Sequence, residues 1–77
     1  MPHVHIQHYP RNFTEEQRRA VDAAITRAVM TAFETGEETI SIALEPIEPD
    51  DWTARVLDRI EAREDLLLKA PAYWKRK

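Results

Sequence analysis

The 77-residue chain contains no cysteine, which excludes both a disulfide framework and a cysteine-based metal cage. No apolar run approaches the roughly 18 residues that a membrane-spanning helix needs, so no membrane insertion is expected. An excess of basic residues is also missing. Eleven Lys and Arg stand against 14 Asp and Glu, a formal charge of −3, and a nucleic-acid partner is therefore not expected. Only Lys75-Arg76-Lys77 is locally basic, and a solvated tail is its simplest reading. The segment Met1–His5 has neither a basic leader nor an apolar signal core, which points to a cytoplasmic protein whose fold starts at its first residues. Repeats and low-complexity tracts are absent.

What is present is ordinary for a globular chain: 43% hydrophobic and 32% charged residues. The difficulty is size. A chain this short buries only about 60% of the surface its unfolded form exposes. Ordering each residue costs roughly 1.5 kcal/mol, which so small a core barely offsets. Without disulfides, self-association is the simplest way to bury more surface, and a homo-oligomer is expected.

Residues 2 to 8 alternate with period two, Val4 and Ile6 facing one way and His3, His5 and Gln7 the other, as in a half-buried strand. Pro10 ends the ladder. Thr14-Glu15-Glu16-Gln17 reads as a capping box that opens a helix over 14–35, with Phe13 placed to staple onto its first turns. Its apolar stripe is Val21, Ala24, Ile25, Ala28, Val29, Ala32 and Phe33, and Gly36 offers a left-handed terminator. A second strand is predicted over 39–45, with Ile40, Ile42 and Leu44 on one face. After the Pro46–Pro49 loop, Asp50 or Asp51 is placed to cap a second helix over 51–69, with Val56, Leu57, Ile60 and Leu67 on its apolar side. Pro71 stops that helix and leaves Ala72-Tyr73-Trp74 as a terminal segment that packs on something.

The order is strand, helix, strand, helix in one domain over 1–77, an α+β arrangement. A crossover of some 30 residues containing a long helix suits two parallel strands joined right-handedly. Two strands leave unpaired edges. Pairing two copies into a four-stranded sheet closes one of them, and a dimer is the minimal solution.

Three features could carry chemistry. Proline at position two permits removal of Met1, leaving a secondary amine as the true terminus. Pro2 shares the parity of Val4 and Ile6 and so belongs to the apolar face. Desolvation there lowers the pKa of an amine toward neutrality, which suits a general base. His3 and His5 put two imidazoles on one face, a spacing that can ligate zinc. However, His8 points to the opposite side and no carboxylate obviously completes a tetrahedron. Polar residues on a wet or partner-facing surface are the plainer reading, and no metal is expected. Arg11 follows the strand near a helix start and could hold a carboxylate bidentately, or could be a solvated loop residue. Trp52 suits core or interface, or an apolar pocket wall with a polar edge.

Taken in order, these residues resemble the tautomerase superfamily, specifically its short 4-oxalocrotonate tautomerase type. The resemblance covers most of the chain: Met-Pro opening into a strand, Thr-Glu-Glu-Gln starting a long helix, the strand Thr-Ile-Ser-Ile-Ala-Leu (39–44), and a loop leading to Trp52. Met-Pro-His, Tyr-Pro-Arg (9–11) and that second strand are most similar to the PptA-type branch of phenylpyruvate-enol tautomerases.

The resemblance implies a β-α-β-α tautomerase fold, two parallel strands per subunit completed to a four-stranded sheet by dimerisation. It further implies a cofactor-free isomerase acting on a small enol or keto acid. In that reading Pro2 is catalytic, shuttling a proton between the enol oxygen and the carbon alpha to the carbonyl. Trp52 takes the place of the pocket aromatic, and Arg11 lies near that of a substrate-binding arginine, in a loop one residue different in length. Hexameric members carry a second arginine on strand two, where this chain has Ser41. Its loss favours a monoacid enol over a dianionic one and a dimer over a hexamer. The alternative from a different class is a non-catalytic dimeric module, for interaction or for metal binding through His3 and His5.

Overall fold

In the computed structural model the described residues are 1–74, so the basic end segment 75–77 lies outside them. The chain divides into two compact units, residues 1–46 and the part beginning at Ile47.

The first unit is a β-α-β crossover. Strand β1 (His3–His8) and strand β2 (Ser41–Pro46) pair in parallel, with His3 opposite Ser41 and His8 opposite Pro46. The strand period of two then sorts the side chains. Val4, Ile6, Ile42 and Leu44 are half-buried on one face, while His3, His5 and Ser41 are exposed on the other. Helix α1 (Glu15–Phe33) supplies the crossover. The capping box forms as expected: Gln17 N–H donates to Thr14 Oγ1, and Thr14 N–H donates to Gln17 Oε1, each at 3.0 Å. Two first-turn donors are thereby satisfied, and Glu15 and Glu16 add favourable charge at the positive end of the helix dipole.

Val21, Ile25 and Val29 are the half-buried line of α1, whereas Ala24, Ala28, Ala32 and Phe33 of the expected stripe are exposed, Phe33 by 67%. The helix ends earlier than predicted. Glu34, at φ 51°, is the left-handed residue, and its N–H bonds Met30 O. Gly36 is extended instead and opens a short 3₁₀ turn, Glu37–Thr39, so the second strand starts at Ser41 rather than at 39. A left-handed conformation costs a non-glycine residue roughly 1–2 kcal/mol. Here the cost falls on Glu34 because the chain must turn before Thr39, whose hydroxyl bonds Thr35 Oγ1 and Gly36 O.

The second unit departs further from the predicted helix over 51–69. Pro49–Asp51 is a 3₁₀ turn, Thr53–Leu57 is wound with i→i+5 bonds, helix α2 is only Asp58–Ala62, and Glu64–Leu66 is again 3₁₀. No aspartate side chain caps any of these turns. The apolar side is Val56, Leu57, Ile60 and Leu67, buried or half-buried as expected. Regular winding stops at Arg63, because the next apolar residues, Leu66-Leu67-Leu68, are consecutive and no single helix face can bury all three. Ile47, 1% exposed, and Val56, 9% exposed, are the fully buried hydrophobic side chains among the described residues. No side chain of the first unit is buried to that degree. No helix among the described residues is long and apolar enough to cross a membrane.

Candidate active site

Pro2 stands immediately before β1. Its carbonyl accepts a hydrogen bond from the Ser41 amide at 3.2 Å, which continues the parallel ladder one step beyond the strand. That bond fixes Pro2 in register, and strand parity puts it on the face of Val4 and Ile6. Pro2 is half-buried there, with the exposed Met1 attached to its nitrogen. The nitrogen is an amide while Met1 remains and a basic secondary amine once it is removed.

Arg11 lies beyond the other end of the strand. From Pro2 to His8 the chain runs along β1 at about 3.3 Å per residue, so the two ends stand roughly 20 Å apart. Within one subunit the strand thus separates Pro2 from Arg11. The guanidinium is placed by an aromatic stack: Arg11 Cζ lies 5.5 Å from the Phe13 ring centre, and Phe13 meets His8 edge-on at 5.3 Å. His8 Nδ1–H donates to Tyr9 O at 2.7 Å, leaving Nε2 buried with no partner among the described residues. Phe13, expected as a staple for α1, therefore serves as the platform between His8 and Arg11.

Trp52 belongs to the second unit, where it joins the Pro49–Asp51 turn to the Thr53–Leu57 turn. Its indole Nε1–H donates to the Tyr73 hydroxyl at 3.0 Å. Sequence reasoning missed this partnership, since 21 residues separate the pair and nothing in their local pattern links them. Turns wound with i→i+5 bonds are rare and recur at functional sites, and this one begins directly after Trp52.

The histidines with the zinc-like spacing have other partners. His3 Nδ1 shares a hydrogen bond with Ser41 Oγ at 2.6 Å, and His5 Nε2 lies 2.9 Å from Glu45 Oε1, which also accepts from Gln7 Nε2 at 3.2 Å. Among the described residues no group of three or more metal-ligating side chains is arranged to hold an ion. The polar face is a cross-strand ladder.

A parallel strand pair joined by a helical crossover, with proline at the start of its apolar face, is the β-α-β pattern of a tautomerase. The family described as "Tautomerase enzyme" matches residues 2–57, and the chain belongs to it. It is an isomerase, a keto–enol tautomerase. Curated relatives carry the name Tautomerase PptA. The protein of Enterobacter sp. (strain 638) is 36% identical over 74 residues, covering 95% of this chain and 97% of that one. That of Klebsiella pneumoniae (strain 342) is 38% identical over 73 residues, with the same coverage of both chains. The protein of Pectobacterium carotovorum subsp. carotovorum (strain PC1) is 32% identical over 74 residues, again covering 95% and 97%.

Proposed function

We propose that the chain, once Met1 is removed, is a cofactor-free tautomerase of small 2-hydroxy-enoates and their 2-oxo acids, with the amine of Pro2 as general base and acid. The observation that carries this reading is the position of Pro2: half-buried, held in register by Ser41, and on the apolar sheet face of a tautomerase chain. The neutral amine takes the proton of the enol hydroxyl. The O–H bonding pair becomes the carbonyl π bond, and the former C=C pair takes a proton from the ammonium at the alpha carbon. The amine is regenerated. An apolar surround raises the cost of the ammonium form and keeps the amine basic and uncharged near neutrality.

A second copy completes the site in this proposal. Among the described residues the two-stranded sheet leaves β1 with an unpaired edge. The first unit also has an apolar face that is only half-buried, which favours covering by a partner. Antiparallel pairing of two β1 edges makes a four-stranded sheet and brings the Pro2 end of one strand beside the His8–Arg11 end of the other. Arg11 then supplies a bidentate clamp for the substrate carboxylate. Ser41, bonded to His3, provides no cation on strand two. A substrate with one carboxylate fits that arrangement better than a dianion, and a dimer fits better than a hexamer. Whole-chain function as one domain over 1–77 is part of the same proposal, supported by relatives that match along 95% of its length.

The test combines intact mass with turnover. Chain of the mass expected without Met1 should accelerate ketonisation of the enol of phenylpyruvate and sediment as a dimer. A processed, dimeric chain that ketonises neither this enol nor 2-hydroxymuconate would overturn the proposal.

A further inference from the structure

His8 stands where an apolar side chain would be the less costly choice. It follows Val4 and Ile6 on the apolar parity of β1, and its ring is half-buried there. Nδ1–H donates to Tyr9 O at 2.7 Å, so Nε2 of the neutral ring carries a lone pair. That nitrogen is buried and has no hydrogen-bond partner among the described residues. A buried acceptor without a partner destabilises the fold, and a leucine in the same place would avoid this. What the imidazole adds lies in the segment that follows. Its N–H ties the end of β1 to the Tyr9 carbonyl, where the chain leaves the strand toward Pro10. The same ring meets Phe13 at 5.3 Å with the two planes 80° apart, and the Phe13 ring carries Arg11 Cζ at 5.5 Å. Three side chains within residues 8–13 therefore stand in series, from a half-buried strand residue to an exposed guanidinium.

We propose that His8 is a positioning residue for Arg11, acting through the Phe13 ring and the Tyr9 carbonyl. This rests on the proposed role of Arg11 as the clamp for the substrate carboxylate. A solvated arginine samples many rotamers, and one held over an aromatic ring loses less freedom when a carboxylate arrives. A clamp on the carboxylate, which does not react, holds substrate and transition state alike. Its ordering therefore acts on KM and leaves kcat nearly unchanged.

His8→Leu removes the donor and the lone pair together and keeps an apolar side chain in the strand. KM for phenylpyruvate enol should rise about fivefold, the worth of one long side chain ordered in advance, with kcat nearly unchanged. The urea midpoint should hold or rise, because the buried unpartnered acceptor is gone. A histidine with only a structural role would lower it. His8→Asn places an amide donor near the position of Nδ1–H and should recover part of the KM. The Arg11 Nε–H resonance, assigned by its loss in Arg11→Lys, senses the Phe13 ring. In His8→Leu it should move toward its position in Phe13→Leu. An unchanged KM, a lowered urea midpoint or an Arg11 resonance that stays in place overturns the inference and leaves the proline reading standing. Absence of turnover by the processed wild-type chain overturns both.

Discussion

The two faces of the β1–β2 sheet are built from the same twelve strand positions, yet they do different work. On one face Val4, Ile6, Ile42 and Leu44 are half-buried, and Pro2 opens the row. On the other, His3 meets Ser41, and His5 and Gln7 both reach Glu45. The side chains there that look most chemically able, the two imidazoles and the carboxylate, are engaged by cross-strand polar partners. The group proposed to do chemistry has no functional side chain and stands half-buried on the apolar face. A single-residue alternation separates them, so in the proposed chemistry the environment of a nitrogen counts for more than its residue type.

Four changes sharpen or break that comparison. Pro2→Ala leaves a primary amine at the same place and should lower kcat/KM for enol ketonisation by about a hundredfold, with an unchanged circular dichroism spectrum. An unaffected rate would remove the apolar face from the chemistry. Ile6→Ala, on the same face, should cost about 2 kcal/mol in denaturant unfolding, at the low end for a core truncation because Ile6 is only half-buried. It should also raise the protein concentration at which the proposed dimer dissociates. Thr14→Ala removes one arm of the capping box, away from both faces. A loss of about 1 kcal/mol in stability is expected, with kcat/KM unchanged, which separates stability from catalysis. His5→Asn, on the polar face, should be the mildest. His5 is 47% exposed, and a pair of this kind contributes only about 0.5 kcal/mol. If His5→Asn costs as much stability as Ile6→Ala, the two faces are not distinct in the way described.

Much of the first unit was legible in the sequence, because its signals are local. Period-two alternation placed His3 and His5 opposite Val4 and Ile6, and Thr14 with Gln17 marked the helix start to the residue. The end of α1 was less legible. Gly36 carries the usual left-handed signal, but Glu34 takes that conformation because the Thr35–Thr39 hydroxyl network closes the turn first. The second unit resisted reading for a related reason. Pro49 and the acidic pair favour a helix start, yet the three kinds of helical turn that follow depend on which apolar residues find cover, and a one-dimensional pattern does not record that.

The candidate site divides along the same line. The placement of Pro2 on the apolar face was readable from strand parity. The supports of the other candidates were not: Arg11 on Phe13 on His8 is a stack around a loop, and Trp52 with Tyr73 is a contact across 21 residues. The roughly 20 Å along β1 between Pro2 and the strand end that precedes Arg11 also required the strand to be seen whole. That separation makes a second copy part of the proposed chemistry.

The most direct measurement separates chain that retains Met1 from chain that begins at Pro2, verifies each by intact mass, and compares their rates of enol ketonisation. A catalytic Pro2 amine predicts that essentially all activity resides in the processed fraction, since acylation by Met1 turns the base into an amide. Equal rates in the two fractions would contradict it.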